Sequence, residues 1–523
     1  MADNGRIKRA LLSVSDKTGL VDLGRALDRL GIEIISTGGT MRKLRDAGVH
    51  VVSVSTFTGC PEVMDGRVKT LHPKIHAGIL YRRDNEKDAE ELGELETKGI
   101  DLVVANLYPF EQTVARPDAD DAEIIENIDI GGPSMIRAAA KNFLFVTVVV
   151  DPADYPTLVA QLEENNGSTT LEFRRLCAAK VFAQSANYEK AIAAYFESGR
   201  GSEADRFPSP LKLTYRRQGS LRYGENPHQQ AALYADPGFE QPTLLRAEVL
   251  AGKELSFNNY GDLDACLEIL LDFKQPFACV LKHANPCGAA VGTTLALAYQ
   301  RAYESDPLSA FGSIIGLNRE VDLDTARLLH ETHFVECMLA PAFSDEAIKL
   351  LTKKKARRIL ALPEIGRGRG ADEVAYKFIR GGLLAQTADN HVMDSGQLQV
   401  VTRRRPTDEE LADLLFGWVV VKHTRSNAIV FAKGGATVGI GMGQTSRVDS
   451  VHLAVKRAGE RARGAVMASD AFFPMADGLE AAAQAGVTAV IQPGGSKGDP
   501  EVIAAADQAG IAMVFTGVRH FKH

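Results

Sequence analysis

The dipeptide Lys282-His283 ends an apolar run, Ala278 to Leu281, and Asn285-Pro286-Cys287-Gly288 follows closely. Lysine offers a compact positive charge, and histidine is the side chain whose ordinary titration lies near neutral pH. Together they can steady an oxyanion and accept a proton, the two services that group transfer to a weak amine requires. A residue before proline is pushed toward extended geometry, so Asn285 is expected to close a strand. Neighbours on a strand point to opposite faces, so the pair can share a site only if the backbone twists there. The plainer alternative is a surface lysine beside a capped core histidine.

Gly66 to Gly78 packs Arg67, Lys69, Thr70, His72, Lys74 and His76 into one short stretch. His72 and His76 have the spacing of a helical metal pair, but Pro73 is expected to disfavour a helix and no HExxH pattern is present. Anion binding by Arg67 and Lys69 reads better. Further on, Asp129 precedes Gly131-Gly132, and Pro133 is expected to open a helix carrying Lys141 near its end. Lys141 could equally be a C-terminal charge facing the helix dipole. In the second half, LRYGENPHQ (Leu221 to Gln229) is a loop in which Arg222 could fork a phosphate. A second Lys-His pair, Lys422-His423, is followed by Asn427 and hints at an internal duplication.

These groups need a scaffold. Ala10 to Val14 reads as a buried strand, followed by the turn Ser15 to Gly19 and a helix with Leu20, Leu23, Leu27 and Leu30 on one face. Ile32 to Ser36, Val49 to Val54, Leu102 to Ala105 and Phe145 to Val150 read as further strands. Strand–helix alternation implies a parallel sheet covered on both faces. The turns at Ser15 to Gly19 and Thr37 to Thr40 lie between strand and helix, where backbone N–H groups can seat a phosphate. Neither matches a P-loop or Rossmann pattern.

At 523 residues the chain suggests three lobes. The polar stretch Ser198 to Pro210 marks a boundary, giving a domain at 1–200, a linker at 201–210 and a second region at 211–523. A net charge of −7 argues against a general nucleic-acid grip. Six cysteines without a CxxC pair read as reduced thiols. With no membrane-length apolar run, and ALLSV too short for a signal peptide, the expected location is the cytoplasm.

The stretches SVSDKTGL, STGGT, GRVKTLHPKIHAG, NLYPF, IDIGG, RAAAKN, LRYGENPHQ, LKHANPCG, SAFG, SNAIVFAK, GIGMGQTSR and SDAFFP together resemble a bifunctional family of purine biosynthesis. It joins aminoimidazole carboxamide ribonucleotide (AICAR) transformylase to inosinate (IMP) cyclohydrolase. The match spans nearly the whole chain and looks closest to the bacterial form. The resemblance implies an α/β fold, with an N-terminal methylglyoxal-synthase-like parallel-sheet domain and two cytidine-deaminase-like α/β lobes after it. It implies formyl transfer from 10-formyltetrahydrofolate to the 5-amino group of AICAR, then dehydrative closure of formylated AICAR to IMP. It further implies a homodimer with transformylase sites at the subunit interface, and no nucleic-acid or membrane partner. The zinc signature of true deaminases is missing, so no catalytic metal is expected. A structural monovalent cation is allowed by the family, with ligands that the sequence does not place.

Residue by residue, the resemblance makes His283 the general base on the amine and Lys282 the oxyanion partner, with Asn427 close to the reacting groups. Arg222, Tyr223, Gly312, Glu336, Arg447, Phe472 and Arg519 match nucleotide-contacting positions, and Asp477 and Ser496 match folate-contacting ones. Glu336 replaces an aspartate found in some relatives. For ring closure, Lys141 would handle the proton and Lys69 would favour the developing oxyanion, with Tyr108 and Asp129 completing the pocket. Ser15, Lys17, Thr37, Gly38, Gly39, Thr40, Arg67, Thr70, Asn106 and Gly131 would hold the nucleotide. Rival readings are a nucleotide sensor that kept pockets without chemistry, methylglyoxal-synthase chemistry in the first domain, and a zinc deaminase in the second half.

Overall fold

The computed structural model describes residues 6–198, 206–370, 373–393 and 395–523. The chain divides into two compact units, Met1–Pro208 and Ser209–His523. Of the span 201–210 read as a linker, residues 201–205 lie outside the described residues.

The first unit is built on five parallel strands: β1 (Arg9–Val14), β2 (Glu33–Ser36), β3 (Val51–Ser53), β4 (Leu102–Asn106) and β5 (Thr147–Val149). Their order is β3-β2-β1-β4-β5. The chain winds outward in one direction from β1 to β3 and in the other from β4 to β5, so the order reverses between β1 and β4. The crevice beyond the strand C-termini at that reversal is the natural ligand seat of an open α/β sheet. Helix α1 (Leu20–Arg29) buries Leu20, Leu23 and Leu27, and α2 (Gly38–Asp46) buries Leu44.

Three expectations need correction here. Pro73 does not prevent a helix: it is the first residue of α3 (Pro73–Leu80), where its missing N–H goes unneeded, and the His72 side chain caps it by accepting from Lys74 N. The helix α4 (Gly131–Lys141) opens at Gly131, two residues before Pro133. Val54 belongs to a short helix, Val54–Thr58, because the Ser53 side chain caps it at the Thr56 N–H.

The second unit carries a twelve-stranded sheet. Its first lobe comprises β8 (Glu248–Ala251), α5 (Phe257–Leu270), β9 (Phe277–Lys282), β10 (Asn285–Val291), α6 (Leu295–Ser305), β11 (Ser313–Leu317), α7 (Leu323–Glu331), β12 (Val335–Ala340), α8 (Asp345–Leu351) and β13 (Arg358–Ala361). The second lobe repeats the plan with β16 (Gln399–Val400), α9 (Asp408–Lys422), β17 (Ile429–Lys433), β18 (Ala436–Gly441), α10 (Arg447–Ala458), β19 (Val466–Ser469), α11 (Asp477–Gln484), β20 (Ala489–Gln492), α12 (Asp499–Gln508) and β21 (Ala512–Phe515). Two small hairpins lie outside this sheet: β6 (Arg216–Leu221) with β7 (Ala231–Ala235), and β14 (Val374–Ile379) with β15 (Gly382–Thr387).

The sheet order β16-β21-β20-β19-β17-β18-β10-β9-β11-β12-β13-β8 mirrors one lobe onto the other about an antiparallel seam, β10 against β18. Strand alternation then sorts the core. Phe277, Cys279 and Leu281 of β9 share one cluster with Val430 and Ala432 of β17, and with Leu263 and Leu267 of α5 and Leu414 and Trp418 of α9. That face is continuous across both lobes. On the opposite face each lobe keeps its own cluster: Val280, Tyr299 and Leu329 in the first, Phe431, Val451 and Leu479 in the second. The period-2 pattern of β9 and β17 thus welds the lobes on one side and lets helices pack separately on the other.

The duplication is real, but the two Lys-His pairs are not its matching parts. Lys422 ends α9, whereas Lys282 ends β9, and the counterpart of Lys282 is Lys433 at the end of β17.

Candidate functional site

In the first unit a cleft of about 560 Å³ opens at the β1/β4 reversal. Every first-unit residue that the resemblance assigns to ring closure or to nucleotide binding lines it except Lys141, and His72, Lys74 and His76 do not line it either. The loop after β1 supplies Ser15 and Lys17, and the loop after β2 supplies Thr37 and the start of α2, Gly38, Gly39 and Thr40. The Lys69 and Lys17 ammonium groups both reach this helix start: a Cβ built on Gly38 would lie 3.9 Å from Lys69 Nζ, and one on Gly39 would lie 3.8 Å from Lys17 Nζ. Free N–H groups at a helix N-terminus with two ammonium groups beside them are the chemistry that can seat a phosphate.

The opposite wall carries Tyr108, Asp129 and Gly131. Burial pushes the Asp129 carboxyl up from its ordinary range, against the Gly132 and Tyr108 backbone N–H groups and the Lys69 charge, which pull it down. Asp129 Oδ1 accepts from Gly132 N at 2.8 Å, and a Cβ at 132 would meet Asp129 Oδ2 at 2.3 Å, so glycine there leaves room for the carboxylate. Asn106 lines the cleft, yet its side chain is spent on the loop after β1: Oδ1 accepts from Ser15 N and Asp16 N, and Nδ2 donates to Asp16 O. Thr70 is buried beside Gly131, and Arg67 forms an ion pair with Glu126 at the rim. Sequence reading missed Glu126 and also Thr37's partner Glu62, which accepts from the threonine hydroxyl. Lys141 is exposed at the far end of α4, about 15 Å along the helix from Gly131 at 1.5 Å per residue.

In the second unit Lys282 and His283 border a smaller cavity of about 190 Å³, with Asp306, Ser309 and Arg457 on its wall. Asn285 does not close a strand. β9 ends at Lys282, His283 and Ala284 form a left-handed turn (φ 52° and 57°), and Asn285-Pro286 begin the antiparallel β10. Proline is tolerated there because the ladder is irregular between Pro286 and Gly288. The left-handed turn is the twist that brings adjacent residues to one cavity, and it costs about 1 to 3 kcal/mol per non-glycine residue. Asn285 Nδ2 donates to His283 O and its Oδ1 accepts from Arg425 N, fastening the turn to the second lobe.

Lys282 Nζ donates to the carbonyl of Phe311 at 2.7 Å, beside Gly312 (φ 73°). The loop that offers this carbonyl is held by Asp306, which accepts from Ser309 Oγ and Arg457 Nη1, both at 2.7 Å. Burial pushes the Cys287 thiol up to about 12, so it lines the cavity as a neutral group.

Asn427 and Arg447 also meet. Arg447 Nη2 donates to Asn427 Oδ1 at 2.7 Å, and Nη1 donates to Ser469 Oγ and to the fully buried Asp470. Asn427 Nδ2 donates to Gln444 O and Thr445 O, so its amide is oriented by fixed partners. Glu336 is paired with Arg358 at 2.6 Å. Phe472, Asp477, Ser496 and Arg519 lie after β19, β20 and β21, and Arg222 and Tyr223 lie just after β6. The ends of β9, β18, β19, β20 and β21 and the starts of β10, β11, β12 and β17 fall on one edge of the sheet, as the pairing directions require. The sheet-borne candidates therefore share an edge, while only Lys282 and His283 among them border the cavity.

No group of three metal-ligating side chains occurs among the described residues, and no helix among them is long and apolar enough to cross a membrane. A family model described as AICARFT/IMPCHase bienzyme matches residues 139–457, and one described as MGS-like domain matches residues 19–134. The bifunctional purine biosynthesis protein PurH of Anoxybacillus flavithermus is 52% identical over 517 residues, covering 99% of this chain and 100% of that protein. The protein of the same name from Bacillus cereus is 51% identical over 516 residues, with the same coverage. A solved structure, "Crystal structure of ForH", is 39% identical with a TM-score of 0.33 and covers 36% of this chain and 99% of its own. With identity above half along essentially the whole length and both models matched in order, the chain belongs to the AICARFT/IMPCHase bienzyme family.

Proposed function

We propose that the chain performs its family's two reactions in two separate places, formyl transfer at the sheet edge of the second unit and ring closure in the cleft of the first. The observation that carries this division is that Lys282 and His283 border a cavity in the second unit, while Lys69, Tyr108 and Asp129 line the cleft of the first. In formyl transfer the AICAR amine is weakly basic because its lone pair is drawn into the ring. Its nitrogen attacks the formyl carbon of 10-formyltetrahydrofolate, His283 takes the amine proton, and Lys282 steadies the tetrahedral oxyanion. Collapse breaks the bond to the folate nitrogen, which takes up the proton that His283 holds, and releases tetrahydrofolate with His283 neutral again.

In ring closure the carboxamide nitrogen of formylated AICAR attacks its own formyl carbon, and water is then lost. Proximity lowers the barrier because the step is intramolecular. The phosphate sits at the start of α2 between Lys17 and Lys69, and Lys69 favours the developing oxyanion. Asp129, its carboxyl raised by burial, stands in the cleft as a proton carrier with Tyr108 beside it. The resemblance gives proton transfer to Lys141, which lies outside this cleft.

Arg222, Tyr223, Glu336, Phe472, Arg519, Asp477 and Ser496 complete the nucleotide and folate contacts in a homodimer. Their dispersal over exposed loops and the sheet edge supports a site that a second copy closes. The exposed Phe378, Ile379 and Leu384 of the β14–β15 hairpin offer apolar surface for such an interface.

The test is IMP formation from AICAR plus 10-formyltetrahydrofolate, with each step also assayed alone. His283→Ala should abolish formyl transfer and spare closure of supplied formylated AICAR. Lys141→Ala should accumulate formylated AICAR if the resemblance holds, and a normal rate of IMP formation removes Lys141 from the mechanism. A protein that binds both nucleotides and converts neither is a sensor, and this reading fails.

A further inference from the structure

The second unit contains its own internal comparison for the Lys282-His283 turn. Asp272 and His423 lie 151 residues apart and touch, His423 Nε2 to Asp272 Oδ2, at 2.7 Å. The same spacing maps Ser256 onto Thr407, each the N-cap of its helix with a complete capping box. It maps Lys282 onto Lys433, each the last residue of a strand, and His283-Ala284 onto Gly434-Gly435. All four turn residues are left-handed, with φ of 52° and 57° in the first lobe and 59° and 76° in the second.

The same register maps Asp262 of α5 onto Asp413 of α9. In the second lobe Asp413 accepts from both turn amides, Gly434 N and Gly435 N, each at 2.6 Å. In the first lobe Asp262 Oδ1 accepts from Ala284 N at 2.7 Å. The two lobes therefore use one device, a helix carboxylate gripping a left-handed turn. They differ in what the turn carries. Glycine adopts this geometry freely and brings no side chain, whereas histidine and alanine resist it. The two turns also lie on opposite edges of the sheet, since β10 and β18 run antiparallel. The grip is thus common to the fold, and in one lobe it restrains a strained turn that bears an imidazole.

We propose that Asp262 is a positioning residue for formyl transfer: by holding the Ala284 amide it keeps His283 in the left-handed turn that sets it beside Lys282 at one cavity. The proposal rests on His283 being the general base. An imidazole displaced by about 1 Å can cost about 100-fold in rate, so the loss should appear in kcat, while nucleotide contacts made elsewhere hold KM.

The experiment uses the full-length chain and steady-state formyl transfer, followed by the absorbance of the folate product. Asp262→Ala is expected to lower kcat by about 10- to 100-fold and to change KM for AICAR by less than about threefold. Asp262→Asn keeps an oxygen acceptor for the Ala284 N–H and is expected to retain at least about a third of kcat. Adding Ala284→Gly to Asp262→Ala should recover about fivefold or more, because glycine takes the turn without the grip. Asp413→Ala, which frees only the glycine turn, should leave formyl transfer within about twofold. If Asp262→Ala does not fold, Asp262→Gln moves the acceptor by one methylene and should show the same loss in kcat. Full kcat in Asp262→Ala or Asp262→Gln overturns the proposal. So does an Asp262→Asn as damaged as Asp262→Ala, which makes the charge the active feature, or an equal loss in Asp413→Ala, which makes the effect a general weakening. His283→Ala with full activity would instead sink the general-base reading itself, whatever Asp262 does.

Discussion

Acid should weaken the second unit in a pH range set by one buried imidazole. His423 is 4% exposed, and its Nε2 lies 2.7 Å from Asp272 Oδ2. The same carboxylate oxygen accepts from Lys422 Nζ at 3.0 Å, and Arg369 Nε lies 3.4 Å from the other oxygen. Burial pushes His423 down to about 4, against the Asp272 hydrogen bond that pulls it up. For Asp272, burial is outweighed by the His423 hydrogen bond and the Lys422 and Arg369 charges, which hold it below the usual carboxylate range. The folded chain thus keeps His423 neutral where the unfolded chain, with an ordinary imidazole near 6.5, takes up a proton. Its contribution is complete above about pH 6.5 and falls as the pH drops toward 4. At about 1.4 kcal/mol per pH unit this amounts to at most about 3 kcal/mol, a large part of a typical 5 to 15 kcal/mol. The Asp272 contribution is lost only at lower pH, below the unfolded carboxylate value of about 3.9. Trp418, the only tryptophan, is buried in the core shared by both lobes and reports this unit alone. Urea unfolding followed by its fluorescence should show stability dropping between pH 6.5 and pH 4.5. His423→Gln, which retains a donor for Asp272, should flatten that slope. Parallel curves for the two proteins would refute the argument.

Two other perturbations follow from the geometry. Lys69→Met should slow ring closure by about 100-fold or more, with formylated AICAR accumulating while formyl transfer continues; unchanged closure of supplied formylated AICAR would remove Lys69 from the step. Arg447→Met strands the fully buried Asp470 carboxylate and leaves Asn427 Oδ1 without its guanidinium, which should cost the second unit about 3 to 5 kcal/mol by Trp418 fluorescence. A loss under 1 kcal/mol would show that Asp470 is neutralised another way.

What could be read from sequence was local. The parallel sheet of the first unit follows from apolar strands alternating with helices, and the loops after β1 and β2 had to meet beside its strand reversal. The errors are also local rules overruled by context. Asn285-Pro286 looked like the end of a strand because a residue before proline is held extended and proline halts regular elements, but Asn285 begins the next strand and the ladder skips just after Pro286. Pro73 looked like a breaker but stands where a helix needs no N–H. Lys422-His423 looked like a copy of Lys282-His283, yet those residues clasp Asp272. The true counterpart shares only the lysine and a helix carboxylate. An aspartate six positions after each capping residue, in Ser256–Asp262 and Thr407–Asp413, was the available signal. Asn427 and Arg447 were named only through the resemblance and Asp470 not at all, since strand pairing is what brings the three together.

The left-handed turn also separates what the fold needs from what the chemistry needs. On a continuing strand Lys282 and His283 would face opposite sides of the sheet. Ending β9 between them solves this, and the second lobe shows that glycine alone would make the same bend. On the proposed role of His283 as general base, histidine at φ 52° is a cost carried for function. His283→Ala keeps that cost, because alanine resists the left-handed region by about 1 to 2 kcal/mol. His283→Gly removes it, less about 0.5 to 1 kcal/mol for the greater freedom of glycine in the unfolded chain. The glycine variant should therefore be more stable than the alanine variant by about 0.5 to 1 kcal/mol, with neither able to transfer formyl. Trp418 fluorescence in urea measures the difference. An alanine variant as stable as the glycine one would mean that the turn stores no strain, and the grip of Asp262 would have nothing to hold.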